Sequence, residues 1–168
     1  MACEAFDNFP PGQAAKALAV VARVPGGVWL SMQLLRVRVI RRSPHAYGGM
    51  SVRGILDELL DGWFAPARHS RAIRRDFARF ATSTPDRETL PAWSERLRDV
   101  DRPVLVVWAS EDPLMPREHG PRLVELYPQG RLVEIADSST LVPEDQPQRL
   151  AEVLTSFLIE TGAEPARR

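Results

Sequence analysis

The chain has 168 residues, 44% of them hydrophobic and 26% charged, the makeup of one ordinary globular domain. Its 22 basic residues balance 22 acidic ones, so it lacks the basic surplus of a nucleic-acid binder. A single cysteine, Cys3, excludes an internal disulfide, and with only His45, His69 and His119 beside it no structural zinc site is expected.

The N-terminal "MACEAFDNFP" lacks the basic stretch and apolar core of a signal peptide, and no apolar run approaches the roughly 18 residues that span a membrane. A cytoplasmic protein without a membrane partner is expected. "GQAAKALAVVAR" (12–23) is Ala-rich and predicts a helix. Pro25, Gly26 and Gly27 separate it from "VWLSMQLLRVRVI" (28–40), helical by length but β-branched at its end, which Ser43-Pro44 stops. The basic "RVRVIRR" (36–42) reads as a solvated helix or strand face. "SVRGILDELLDGWF" (51–64) spaces Val52, Ile55, Leu56, Leu59, Leu60, Trp63 and Phe64 as one buried helical stripe. "SRAIRRDFARF" (70–80) repeats the device with Ile73, Phe77 and Phe80.

The period then changes. "PVLVVW" (103–108) is a continuous apolar run, as in a strand buried on both faces of a parallel sheet. "RLVEIA" (131–136) is a second strand, and "GPRLVELYPQG" (120–130) supplies a helix between them. The spacing predicts a right-handed βαβ unit. A last helix starts at Pro147, with Asp145 or Gln146 before it, and presents Leu150, Val153, Leu154, Phe157 and Leu158 as its apolar face. Two strands are too few for a stable parallel sheet, so the second half reads as one end of a larger α/β domain. The unpaired strand edge invites association, either between copies or with a complementing N-terminal half.

With these elements in place, "RPVLVVWASEDPLMP" followed by "RLVEIADSSTLVPEDQPQRLAEVLTSFL" resembles the C-terminal end of an α/β-hydrolase. The likeness covers roughly residues 100 to 160. In that family the second-last core strand ends in a loop patterned W-G-x-x-D-x-x-x-P, which bears the triad acid. Asp112 and Pro116 hold those places here, with Ala109 where Gly is usual. The last strand leads into a turn patterned G-H-x-x-x-x-E-x-P. Thr140 stands at the His place, followed by Glu144, or more loosely Asp145, and Pro147. The resemblance implies a parent that hydrolyses an ester, amide or similar bond with a serine nucleophile and no cofactor. Residues 10–92 would form the cap, 93–168 the C-terminal βαβα part of the core, and 1–9 a loop entering the cap. The rest of the sheet, with the nucleophile, is expected before Met1.

A serine hydroxyl needs an imidazole to take its proton and a carboxylate to orient that imidazole. Threonine cannot serve as such a base near neutral pH. The sequence contains no G-x-S-x-G turn; Ser51, in "GMSVRG", has Arg53 where the second Gly belongs. The 168 residues alone are therefore expected to be inactive. His119 reads as a polar helix-start residue, His45 and His69 as loop and surface residues, and Cys3 as a small packed residue. Trp29, Trp63 and Trp93 could wall a pocket for a small apolar or ester substrate, although core packing is their commoner role. The rival function is a non-catalytic module, derived from a hydrolase, that binds a small molecule or another protein.

Overall fold

The structure, a computed structural model, describes residues 12–44, 46–83 and 88–162, with side chains from residue 16 onward. Cys3, His45 and the expected loop over 1–9 lie outside these residues. The Ala-rich segment forms α1 (Gly12–Ala22), and the turn at Gly26, whose φ of 78° suits glycine, leads into α2 (Gly27–Leu34). The ambiguous stretch is helical throughout, as α2 and the one-turn α3 (Arg38–Arg41). α4 (Asp57–His69) and α5 (Arg71–Thr82) follow, then α6 (Thr89–Glu95) and a short 3₁₀ turn, Arg96–Asp99.

β1 (Val104–Ala109), α7 (His119–Leu126) and β2 (Gly130–Ile135) form the expected βαβ unit, with the strands parallel and Val104 opposite Gly130. The sheet has these two strands among the described residues. Side chains alternate along β1 as a pleated strand requires. Val106 and Trp108 pack with Leu123 and Leu126 of α7 on one face. Val107 and Ala109 meet Val133, Ile135, Val142 and Leu150 on the other. A Cβ on Gly120 would stand 3.0 Å from the Trp108 ring, so glycine there lets α7 lie against the sheet. The one-turn α8 (Val142–Asp145) and α9 (Pro147–Glu160) close the chain, with Pro147 opening α9 as expected.

Three expectations about the helices need correction. The stripe from 52 to 64 is not one helical face. Gly54, at φ 79°, and the extended residues before Asp57 interrupt it, so Ile55, Leu60 and Phe64 are buried while Val52, Leu56 and Trp63 are exposed. No residue of α5 is buried, and Ile73 and Phe80 face outward. On α9 Val153 is buried, Leu150 and Phe157 are half-buried, and Leu154 and Leu158 are exposed. The basic 36–42 stretch is solvated except at Arg41, which is buried between Asp57 at 2.8 Å and Asp61 at 2.9 Å. Arg38 and Arg42 also reach Asp57, and Arg68 reaches Asp61. Arg68's hydrogen bond lowers the Asp61 pKa most; partial burial opposes it and Arg41 reinforces it, so Asp61 sits below its ordinary value. Trp29, Trp63 and Trp93 are all exposed; the buried tryptophan is Trp108.

The helical core gathers Val28, Met32, Ile55, Leu60, Phe64 and Ala67, with Tyr47 edge-on to Phe64 at 4.8 Å. Leu141, from the loop after β2, packs against this cluster. One residue of the final loop thus belongs to the helical half.

Candidate functional site

Both candidate residues lie in loops that leave the carboxyl ends of the parallel strands, where open α/β sheets place their ligands. β1 ends at Ala109, and Asp112 follows three residues later. Its Oδ1 accepts the backbone N–H groups of Leu114 at 2.7 Å and Met115 at 3.1 Å. That is the local turn expected of an Asp before "PLM". The same oxygen accepts the Thr140 hydroxyl at 2.9 Å, across 28 residues of sequence. The two positions singled out in the sequence are therefore in direct contact, both half-buried.

Thr140 sits in a turn fixed on both sides. Asp137, just beyond β2, takes φ 50°, a left-handed conformation that Asp adopts more readily than most residues. Ser138 and Ser139 are buried. The Ser138 hydroxyl donates to the Ile135 carbonyl at 2.6 Å, and the Glu111 N–H donates to the Ser138 carbonyl at 3.1 Å. The Ser139 hydroxyl donates to the Gly49 carbonyl at 2.9 Å, and the Leu141 N–H to the Met50 carbonyl at 2.9 Å. The neighbours of Thr140 on either side thus bind the segment 49–50.

Beneath this turn lies a buried group whose role the sequence does not show. Of the two residues expected before α9, Gln146 is the cap, and the Asp145 side chain points inward with no exposure to solvent. Its Oδ1 accepts the Ser51 hydroxyl at 2.6 Å and the Arg53 N–H at 3.1 Å; its Oδ2 accepts the Ser139 N–H at 2.8 Å and the Val52 N–H at 3.1 Å. Burial alone would raise its pKa, but the bonds from Ser51, Ser139, Arg53 and Val52 outweigh burial and hold it below the ordinary carboxylate value. Ser51 is buried and commits its hydroxyl to this carboxylate, an arrangement for structure and not for attack on a substrate. The usable sequence signal was the acidic pair Glu144-Asp145 ahead of Pro147, although nothing local named its partners.

His119 opens α7 as expected and is buried there; His69 ends α4 and is exposed. Trp29 lines a groove of about 390 Å³ together with Arg71, Arg74 and Arg75. Among the described residues no group of three or more His, Cys, Asp or Glu is placed to hold a metal ion. No helix among them is long and apolar enough to cross a membrane.

An acid loop and a hydroxyl-bearing loop converge at one end of a parallel strand pair, preceded by a bundle of helices. Solved structures share the fold. An α/β-hydrolase-fold protein from Burkholderia ambifaria matches at 22% identity with a TM-score of 0.62, over 88% of this chain and 52% of its own. An ancestral haloalkane dehalogenase, AncHLD2, matches at 20% and 0.65, over 96% and 56%. A thermophilic esterase from Thermogutta terrifontis matches at 21% and 0.58, over 94% and 53%. The chain has the C-terminal portion of an α/β-hydrolase fold, a helical region followed by parallel strands and their helices.

Among curated proteins, the uncharacterized hydrolase YugF of Bacillus subtilis (strain 168) is 26% identical over 102 residues, which are 61% of this chain and 36% of that protein. The chain is hydrolase-related, and it spans about a third of this relative's length and about half that of the solved structures. No protein-family model matches it.

Proposed function

We propose that this chain supplies the cap and the last two core strands of a cytoplasmic serine-type hydrolase acting on an ester, amide or similar bond. Asp112 takes the place of the triad acid, Thr140 stands where the imidazole would, and residues 10–92 act as the cap over a small apolar or ester substrate. The observation that carries this reading is the 2.9 Å hydrogen bond from Thr140 to Asp112 between the two loops. A triad acid makes a bond of this kind to the ring N–H of its histidine. Here a hydroxyl donates it, so the acid loop keeps its partner while the base is gone. The nucleophile and the oxyanion hole beside it would come from polypeptide outside these 168 residues.

In-frame coding DNA upstream of the Met1 codon is expected to encode apolar strands and a G-x-S-x-G turn. A stop codon there with no such turn would overturn this reading in favour of the second. The 168-residue chain itself is expected to hydrolyse an activated ester no faster than buffer. Turnover that Asp112→Asn abolishes would overturn the claim of inertness.

The second reading is a non-catalytic module derived from a hydrolase, which binds a small molecule or another protein. It is favoured by Asp112 Oδ1, whose bonds from the Leu114 and Met115 N–H groups already make it a turn-forming group. The exposed Leu154, Leu158 and Ile159 of α9, and the edge of β1 away from β2, suit pairing with a second copy or a complementing half.

A further inference from the structure

We propose that Asp145 is a positioning residue, a buried latch that ties the segment Ser51–Arg53 to the turn after β2 and so holds Thr140 against Asp112. The connection runs through named bonds. Asp145 holds the Ser139 N–H on one side and Ser51, Val52 and Arg53 on the other. The segment so fixed continues through Met50 and Gly49, whose carbonyls take the Leu141 N–H and the Ser139 hydroxyl. Thr140 is the residue between those two donors. On the sheet side, the Ser138 carbonyl takes the Glu111 N–H, one residue before Asp112. The turn is thus anchored to the acid loop at one end and to the helical half at the other, with the carboxylate at the junction.

The chemistry of the latch requires a carboxylate. Four donors converge on two oxygens, each oxygen taking two bonds. An amide of the same size offers one acceptor oxygen, and its NH₂ would confront two of the donors. Asp145 N–H also donates to the Leu141 carbonyl within the one-turn α8, so the backbone that carries the carboxylate is itself tied to the turn. The latch matters to function only through the site pair proposed above. It is read here without turnover, so its failure and the failure of that reading are separate results.

The test is amide hydrogen exchange on the full 168-residue chain with Asp145→Asn. The amides of Val52, Arg53, Ser139 and Leu141 are expected to lose protection together, by at least about tenfold more than those of β1 and β2. Leu141 is the informative probe, because its acceptor is Met50 and not Asp145. Ser51→Ala, which removes one donor and leaves three, is expected to speed the same four amides by a smaller factor, and it decides the matter should the Asn variant fail to fold. Unchanged exchange at Leu141, with only Val52, Arg53 and Ser139 affected, would overturn the latch. So would an equal loss of protection across both strands, which would make Asp145 a general stabiliser.

Discussion

Asp145→Ala is expected to lower the free energy of unfolding at pH 7 by at least about 3 kcal/mol. The substitution strands four donors, the Ser51 hydroxyl and the N–H groups of Val52, Arg53 and Ser139, around a side chain with no exposure to solvent. Each buried donor left without an acceptor costs about 1–3 kcal/mol, and water admitted to the vacated space recovers part of the total. Urea unfolding measures the difference; a loss under about 1 kcal/mol would show that these donors find other acceptors.

The same carboxylate gives the protein an acid sensitivity of defined sign. Its folded pKa lies below the ordinary 3.8, so in the interval between the two values the unfolded chain binds more protons than the folded one. Stability therefore rises with pH across that interval. The contribution is complete above the ordinary value and is lost as pH falls through the lower, folded one. Asp145→Ala is expected to flatten this part of the acid-unfolding profile. An unchanged slope between the variant and the natural chain would place the acid sensitivity on other carboxylates.

What could be read from the sequence, and what could not, follows from the distance between partners. The strands β1 and β2 are written locally, as apolar runs with a helix-length gap between them, and the start of α9 is written in Pro147. The meeting of Asp112 and Thr140 was reached only through resemblance to a family pattern, since 28 residues of intervening chain separate them. Asp145 and Ser51 are 94 residues apart, and neither carries a local sign of the other. Their sequence neighbours suggest other roles, a decoy nucleophile for Ser51 between Gly49 and Gly54 and a residue preceding α9 for Asp145. The error over 52–64 has a different origin. Apolar spacing of three and four marks a helical stripe only where the backbone is continuously helical; the turn at Gly54 and the non-helical backbone of Leu56 take Val52 and Leu56 out of phase with Leu60.

That phase shift yields a sharp comparison between two leucines of one short segment. Leu60→Ala is expected to cost about 3 kcal/mol, within the roughly 2–5 kcal/mol span for a fully buried leucine. Leu60 is 1% exposed and packs in a cluster with Val28, Met32, Ile55 and Phe64. Leu56→Ala is expected to fall within about 0.5 kcal/mol of the natural chain, because Leu56 is 72% exposed just ahead of α4. Urea midpoints of the two variants decide between a single buried stripe, which predicts similar losses, and the interrupted one, which predicts a large difference. The cluster that Leu60→Ala would loosen also supports Leu141, which packs on it and adjoins Thr140. Faster amide exchange at Leu141 in Leu60→Ala, without a matching change in Leu56→Ala, would show that the helical half supports the final loop by apolar contact as well as by hydrogen bonds.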